Sequence, residues 1–154
     1  MIVINSHIMY RWEVRLIEKC WNNAIQFLID IYDVKEKLFD NVCVKVTRTS
    51  FNSRYFHRKK EYTITDEDNK SFNMLCNLIV LSIKDKNIFL YNRKSIGEYR
   101  GEYINIGYEK AWTCRLIHEL IHHIQNNENR KYSEVETTKV ELQYLKSVGI
   151  CTQY

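Results

Sequence analysis

The chain has 154 residues, 45% of them apolar and 27% charged, a balance that fits one domain over residues 1–154 with a single core and excludes a disordered chain. The net charge of +4 is mild and gathers mainly in Arg54-Tyr55-Phe56-His57-Arg58-Lys59-Lys60, which reads as a solvated loop or hairpin arm and only secondarily as a nucleic-acid contact. Five cysteines without a CxxC pair leave an odd count that cannot close an internal framework, so reduced thiols and a cytoplasmic location are expected. The first ten residues lack the basic and apolar regions of a secretory leader. The most apolar run, 74–83, is far shorter than the roughly 20 residues of a bilayer span, so no membrane association is expected.

Proline is absent and glycine occurs four times, so the elements must be read from periodicity more than from punctuation. Over 9–31, Met9, Trp12, Leu16, Cys20, Ala24, Phe27, Leu28 and Ile31 recur at three- and four-residue steps, which predicts a long amphipathic helix. Val42, Val44 and Val46 then alternate with Cys43, Lys45 and Thr47, the period of a strand with one buried face. A strand over 56–65 leads to a polar turn at 66–69, and the runs 74–83 and 87–91 read as a hairpin about Lys84-Asp85-Lys86. A further strand is expected at 102–106. After Gly107 the period becomes helical, with Ala111, Cys114, Ile117, Ile121 and Ile124 on one side through about Gln125. A polar turn at 126–130 precedes a last helix opened by Ser133, with Val135, Leu142 and Leu145 on its inner side, and stopped at Gly149. The order predicts an α+β domain, with an N-terminal helix, a small antiparallel or mixed sheet and two closing helices.

His118-Glu119-Leu120-Ile121-His122 matches HExxH inside the second predicted helix. Residues four apart project from one face, so both imidazoles can reach one ion. Zinc suits the pair because it accepts neutral imidazole nitrogen, and catalytic sites add one more protein ligand and leave a position open for water. A carboxylate at Glu119 can take a proton from that water and return it to a departing amine. With five histidines in the chain, the string arises by chance in about one such chain in a hundred, and no proline or glycine interrupts its helix. The competing readings are a pair of ordinary helix histidines and a non-catalytic zincin-like binding domain, nucleic-acid associated through residues 54–60.

The segment resembles the zincin metallopeptidases, and within them small intracellular gluzincin-like enzymes of the ImmA/IrrE type, whose motif helix reads HELxHxxQ. Here that stretch is His118-Glu119-Leu120-Ile121-His122-His123-Ile124-Gln125. The family carries a glutamate ligand on the next helix in a pattern like ExEA, where this chain has Glu134-Val135-Glu136-Thr137. The resemblance covers residues 103–148. It implies a zincin-like fold with a motif helix and a return helix, Zn2+ held by His118, His122 and Glu136, Glu119 as general base, and a protein or peptide substrate.

Three acids compete for the third ligand position. In a helical hairpin turning near Asn129, Glu136 lies level with His122, while Glu134 sits beyond the histidines and Glu141 just past His118. Against Glu136, Ser133-Glu134-Val135-Glu136 fits a capping box, and a helical wheel puts Glu134 and Glu141 nearer the inner stripe of Thr138, Leu142 and Leu145. Height and resemblance favour Glu136. Of the remaining residues, His123 is read as an outer or exposed side chain, Trp12, Trp21 and Trp112 as core, and Tyr108 or Tyr144 as candidates to stabilise an oxyanion.

Overall fold

The computed structural model describes residues 2–3, 6–65, 68–93 and 99–150. Among these residues seven strands and three α-helices run in the order β1 (Ile2–Val3), α1 (Arg11–Tyr32), β2 (Val42–Thr47), β3 (Arg54–Tyr55), β4 (Lys60–Thr65), β5 (Ser71–Ser82), β6 (Asn87–Arg93), β7 (Tyr99–Asn105), α2 (Tyr108–Asn127) and α3 (Glu134–Ser147). The architecture is α+β, with a five-stranded mixed sheet and a separate two-stranded one.

Strand β5 organises the larger sheet. One edge pairs in parallel with β2, from Val42 opposite Asn77 to Thr47 opposite Ser82. Its other edge pairs antiparallel with β4 along Ser71–Cys76 and with β3 at Ile79 and Val80. Both edges being occupied, β5 cannot form the expected hairpin with the next strand. Instead β6 pairs antiparallel with β7. The bend between β5 and β6 is tied down locally: Asp85 accepts from the Asn87 backbone N–H at 2.8 Å, and the Arg115 guanidinium donates to the carbonyls of Asp85 and Asn87 at 2.8 and 3.0 Å. The turn expected at 66–69 lies partly outside the described residues.

Alternation on β2 and β5 does more than bury one face. Ile79, Leu81, Val44 and Val46 face the helices in the main core, while Cys43, Cys76, Leu78 and Ile64 form a second, smaller cluster on the other side of the sheet. There Cys43 and Cys76 are joined as a disulfide, which corrects the expectation that all the thiols are free. Neighbouring strands at nearly level register bring the two sulfurs together, a proximity invisible in a separation of 33 residues. Cys20 and Cys114 are free and buried.

Helix α2 occupies the centre, in contact with α1, α3, β3, β5 and β6. That position explains a sequence apolar on nearly every side, with Ala111, Trp112, Leu116, Ile117, Leu120, Ile121 and Ile124 all at 0% exposure. The turn into α2 is made at Gly107, whose φ of 85° is where a side chain would be strained. At its other end Asn129 adopts φ 55°, and the N–H groups of Asn129 and Arg130 return to the carbonyls of Asn126 and Gln125 at 3.2 and 2.9 Å. This paired closure stops the helix and reverses the chain into α3.

Candidate metal centre

The reversal lays the first turn of α3 beside the HExxH segment of α2. Its N-cap, Ser133, accepts from the Glu136 N–H at 3.2 Å, half of the expected capping box. The Glu134 carboxylate thereby reaches across to both histidines, with Oε2 at 3.1 Å from His118 Nε2 and Oε1 at 2.9 Å from His122 Nε2. One ligand atom from each of the three residues lies within 4.8 Å of the others.

Each imidazole is held from behind by a different acceptor. His118 Nδ1 hydrogen-bonds Oε1 of Glu141, two turns along α3. His122 Nδ1 lies 2.9 Å from Oε1 of Gln125. Carboxylate and amide oxygens only accept, so the Nδ1 atoms carry protons, and the Nε2 atoms are the ring positions turned toward Glu134. Two such imidazoles and one carboxylate form the donor set that zinc accepts, and acceptors behind the rings are what orient histidine ligands. The residues therefore fit a divalent cation. With protons in place of the ion, His118 is charged: burial pulls its pKa down, but the hydrogen-bonded Glu141, with Glu119 and Glu134, overrides this and carries it to about 9.

The structure does not bring Glu136 into this group. Its carboxylate accepts from Gln125 Nε2 at 2.5 Å and from Arg130 at 2.9 Å. Burial opposes the charge, yet these donors hold Glu136 below the ordinary carboxylate range. The helix is rotated so that Glu134 and Glu141 face the histidines, the side the wheel of α3 gives them, while Val135, expected on the inner side, is 81% exposed. Glu136 acts at one remove, through the fully buried Gln125. The Gln125 amide also accepts from the Ser133 N–H and donates to the Ser133 carbonyl, both at 3.3 Å, so it fastens the interhelical loop and His122 together.

Glu119 lies one residue past His118 and is 5% exposed. Desolvation raises its pKa to about 7, a rise that His118 opposes and Glu134 and Glu141 reinforce. Tyr132, in the loop before Ser133, stacks on His122 with ring centroids 4.5 Å apart and planes 22° from parallel. Burial and then the charge of Glu119 push its hydroxyl up to about 12. Tyr132, and neither Tyr108 nor Tyr144, is the tyrosine stacked on His122. Tyr144 is instead buried edge-on against Phe27, and Tyr108 packs on Trp12 and Trp112. No periodic signal marks a single loop aromatic; its place immediately before an N-cap was the available clue.

His123 is not an outer residue of the site. It faces the sheet, 1% exposed, donating from Nε2 to the Leu38 carbonyl at 2.9 Å and accepting at Nδ1 from the Tyr55 hydroxyl at 2.8 Å. Burial lowers its pKa, so a neutral imidazole pins β3 to α2. Trp21 and Trp112 are core residues, whereas Trp12 is 53% exposed. The basic run enters β3 and β4 at the sheet edge, with the Arg54 guanidinium 4.5 Å above the Phe56 ring.

Beside Glu141 opens a cleft of about 740 Å³. It is walled by Cys114 and Arg115 of α2, Leu142 and Leu145 of α3 and Phe89 of β6. No protein-family model matches the chain, and no curated protein or solved structure matches it either.

Proposed function

We propose that this chain is a zinc-dependent peptidase of the zincin type, with His118, His122 and Glu134 as the protein ligands and Glu119 as the general base. One observation carries the reading: two imidazole nitrogens and a carboxylate converge within 4.8 Å, beside a buried carboxylate whose pKa is about 7. Zinc would supply a Lewis acid that lowers the pKa of water toward neutrality and polarises a carbonyl.

The chain's own residues do the rest. Glu141 and Gln125 keep the two rings in the tautomer that leaves Nε2 free. Glu134, with its side chain 70% exposed, closes the site on one side only and leaves solvent access for water and substrate. Glu119 accepts a proton from the attacking water and hands it to the leaving amine, a task suited to a base whose pKa lies near the working pH. The cleft beside Glu141 is wide enough to receive a side chain of a protein or peptide substrate.

No helix among the described residues is long and apolar enough to cross a membrane. Against the cytoplasmic location expected from the sequence stands the Cys43–Cys76 bridge, since disulfides persist in oxidising compartments.

The test is metal analysis of untagged protein purified without chelator. About one zinc per chain is expected, lost in His118→Ala and in His122→Ala. Full occupancy in the double variant removes the assignment. Stoichiometric zinc in a wild-type protein that cleaves no peptide in a broad library makes this a metal-binding domain instead of an enzyme.

A further inference from the structure

On the α1 side of the molecule, away from the histidines, Arg11, Arg15 and Lys19 recur at four-residue steps on the exposed face of the helix. Four residues of helix rise about 6 Å, comparable with the step between successive phosphates of an extended strand. Arg11 and Arg15 have no ion pair among the described residues, and Lys19 shares Glu109 at 3.3 Å with its own side chain 62% exposed. The nearby acids do not neutralise the row: Glu13 is buried under Arg48, Glu109 is taken by Lys19, and Glu18 is exposed without an ion pair among the described residues.

Alongside the cations, Tyr10 is 67% and Trp12 is 53% exposed. The Trp12 ring is held by Trp112, at 6.5 Å with planes 15° apart, and by Tyr108 at 6.1 Å, so the exposed half of the indole is presented on a rigid support. Tyr10, Arg11, Trp12, Arg15, Leu16 and Lys19 line one open groove of about 730 Å³. A row of cations spaced for phosphates beside a supported exposed indole is the combination that takes a flexible polyanion carrying stackable rings.

We propose that this face of α1 binds single-stranded nucleic acid, the cations tracking the backbone and Trp12 stacking on a base. The surface is independent of the metal centre and stands whether or not the chain is a peptidase. Charge complementarity selects this occupant over an apolar helix, and ring stacking selects it over a polyanion without bases.

The experiment is fluorescence anisotropy of a labelled oligodeoxythymidine of about 12 nucleotides, titrated with the full chain across a range of salt. Saturable binding is expected, with quenching of tryptophan emission and a log-log salt slope of about −2 from three cation contacts. R11E/R15E should weaken binding at least tenfold and W12A about tenfold. R58E/K59E, on the other basic surface, should leave it unchanged. All of these side chains are exposed, and circular dichroism with zinc content verifies the fold. No binding at low salt, equal binding by R11E/R15E or W12A, or a loss confined to R58E/K59E would each overturn the proposal. So would capture by vesicles of anionic phospholipid in a chain that leaves the oligonucleotide free, which would make this a membrane-facing surface.

Discussion

Replacing Gln125 with leucine keeps the approximate volume of a fully buried side chain while deleting every polar contact it makes. The amide hydrogen-bonds the Ser133 N–H and carbonyl at 3.3 Å, His122 Nδ1 at 2.9 Å and Glu136 at 2.5 Å. Glu136 retains Arg130 and some solvent, so its loss is small. The Ser133 carbonyl keeps the Thr137 N–H at 3.3 Å, which leaves the Ser133 N–H and the His122 ring without a substitute in place, and unsatisfied buried groups cost about 1–3 kcal/mol each. A net destabilisation of about 2–4 kcal/mol is therefore expected, seen as a fall in Tm of roughly 4–16 °C for a chain of this size. Metal binding should suffer separately, because an unanchored His122 can turn its Nε2 away; loss of such support typically weakens affinity by about 10–100-fold. The assay pairs thermal unfolding in chelator with zinc affinity measured by competition against a chromophoric chelator. Gln125→Glu separates the two effects, since it keeps the acceptor oxygen for His122 but sets a carboxylate against Glu136. It should lose more stability than zinc affinity. A leucine variant that binds zinc as tightly as wild type would refute the claim that Gln125 orients this ligand.

Glu134→Gln should weaken zinc binding far more than Glu136→Gln, with Glu141→Gln between them at about 10–100-fold; a ranking led by Glu136 in a zinc titration would restore the family-based assignment. Glu119→Gln should keep the metal and end hydrolysis, so wild-type turnover on any identified substrate would remove the general base. In metal-free protein the same group sets a pH dependence. A carboxyl raised from 4.5 to about 7 on folding favours its protonated form in the native state, so its contribution is present below pH 4.5 and lost as pH rises through 7. His118, raised from 6.5 to about 9, adds a contribution present below pH 6.5 and lost through 9. Denaturant unfolding in chelator should thus show stability falling from pH 5 to 9, and Glu119→Gln should flatten the lower part by an amount on the order of 3 kcal/mol. Tyr55→Phe should cost about 1–3 kcal/mol, because it leaves His123 Nδ1 only the longer 3.4 Å contact with Asn127 Nδ2 and takes an acceptor from Asn126, with zinc affinity unchanged if His123 is purely structural. Opening the Cys43–Cys76 bridge by a double serine substitution should cost about 2–4 kcal/mol in chemical unfolding, again without effect on zinc.

The HExxH helix, the long first helix and the strand at β2 were legible because each rests on a local period that the backbone imposes on neighbouring residues. Ser133 and Gly149 marked the ends of α3 for the same local reason: the N–H and C=O groups left over at a helix terminus need partners within a few residues. The sequence alone therefore placed His118, Glu119 and His122 on one segment, with a carboxylate donor to follow on the next helix. It could not choose among Glu134, Glu136 and Glu141, because that depends on how far α3 is rotated about its axis against α2. The rotation is settled by packing, in which Val140, Tyr144 and Leu145 bury against the core and swing Glu134 and Glu141 toward the histidines. The partner of β5 was hidden for a similar reason. Proximity in the chain favoured a hairpin with β6, yet β2, β3 and β4 together fill both its edges. The disulfide and the roles of Gln125, Tyr132 and His123 likewise arise from contacts between elements distant in sequence or brought together by a turn. Local periodicity fixes which face a residue occupies on its own element, and only the mutual packing of elements decides what that face meets.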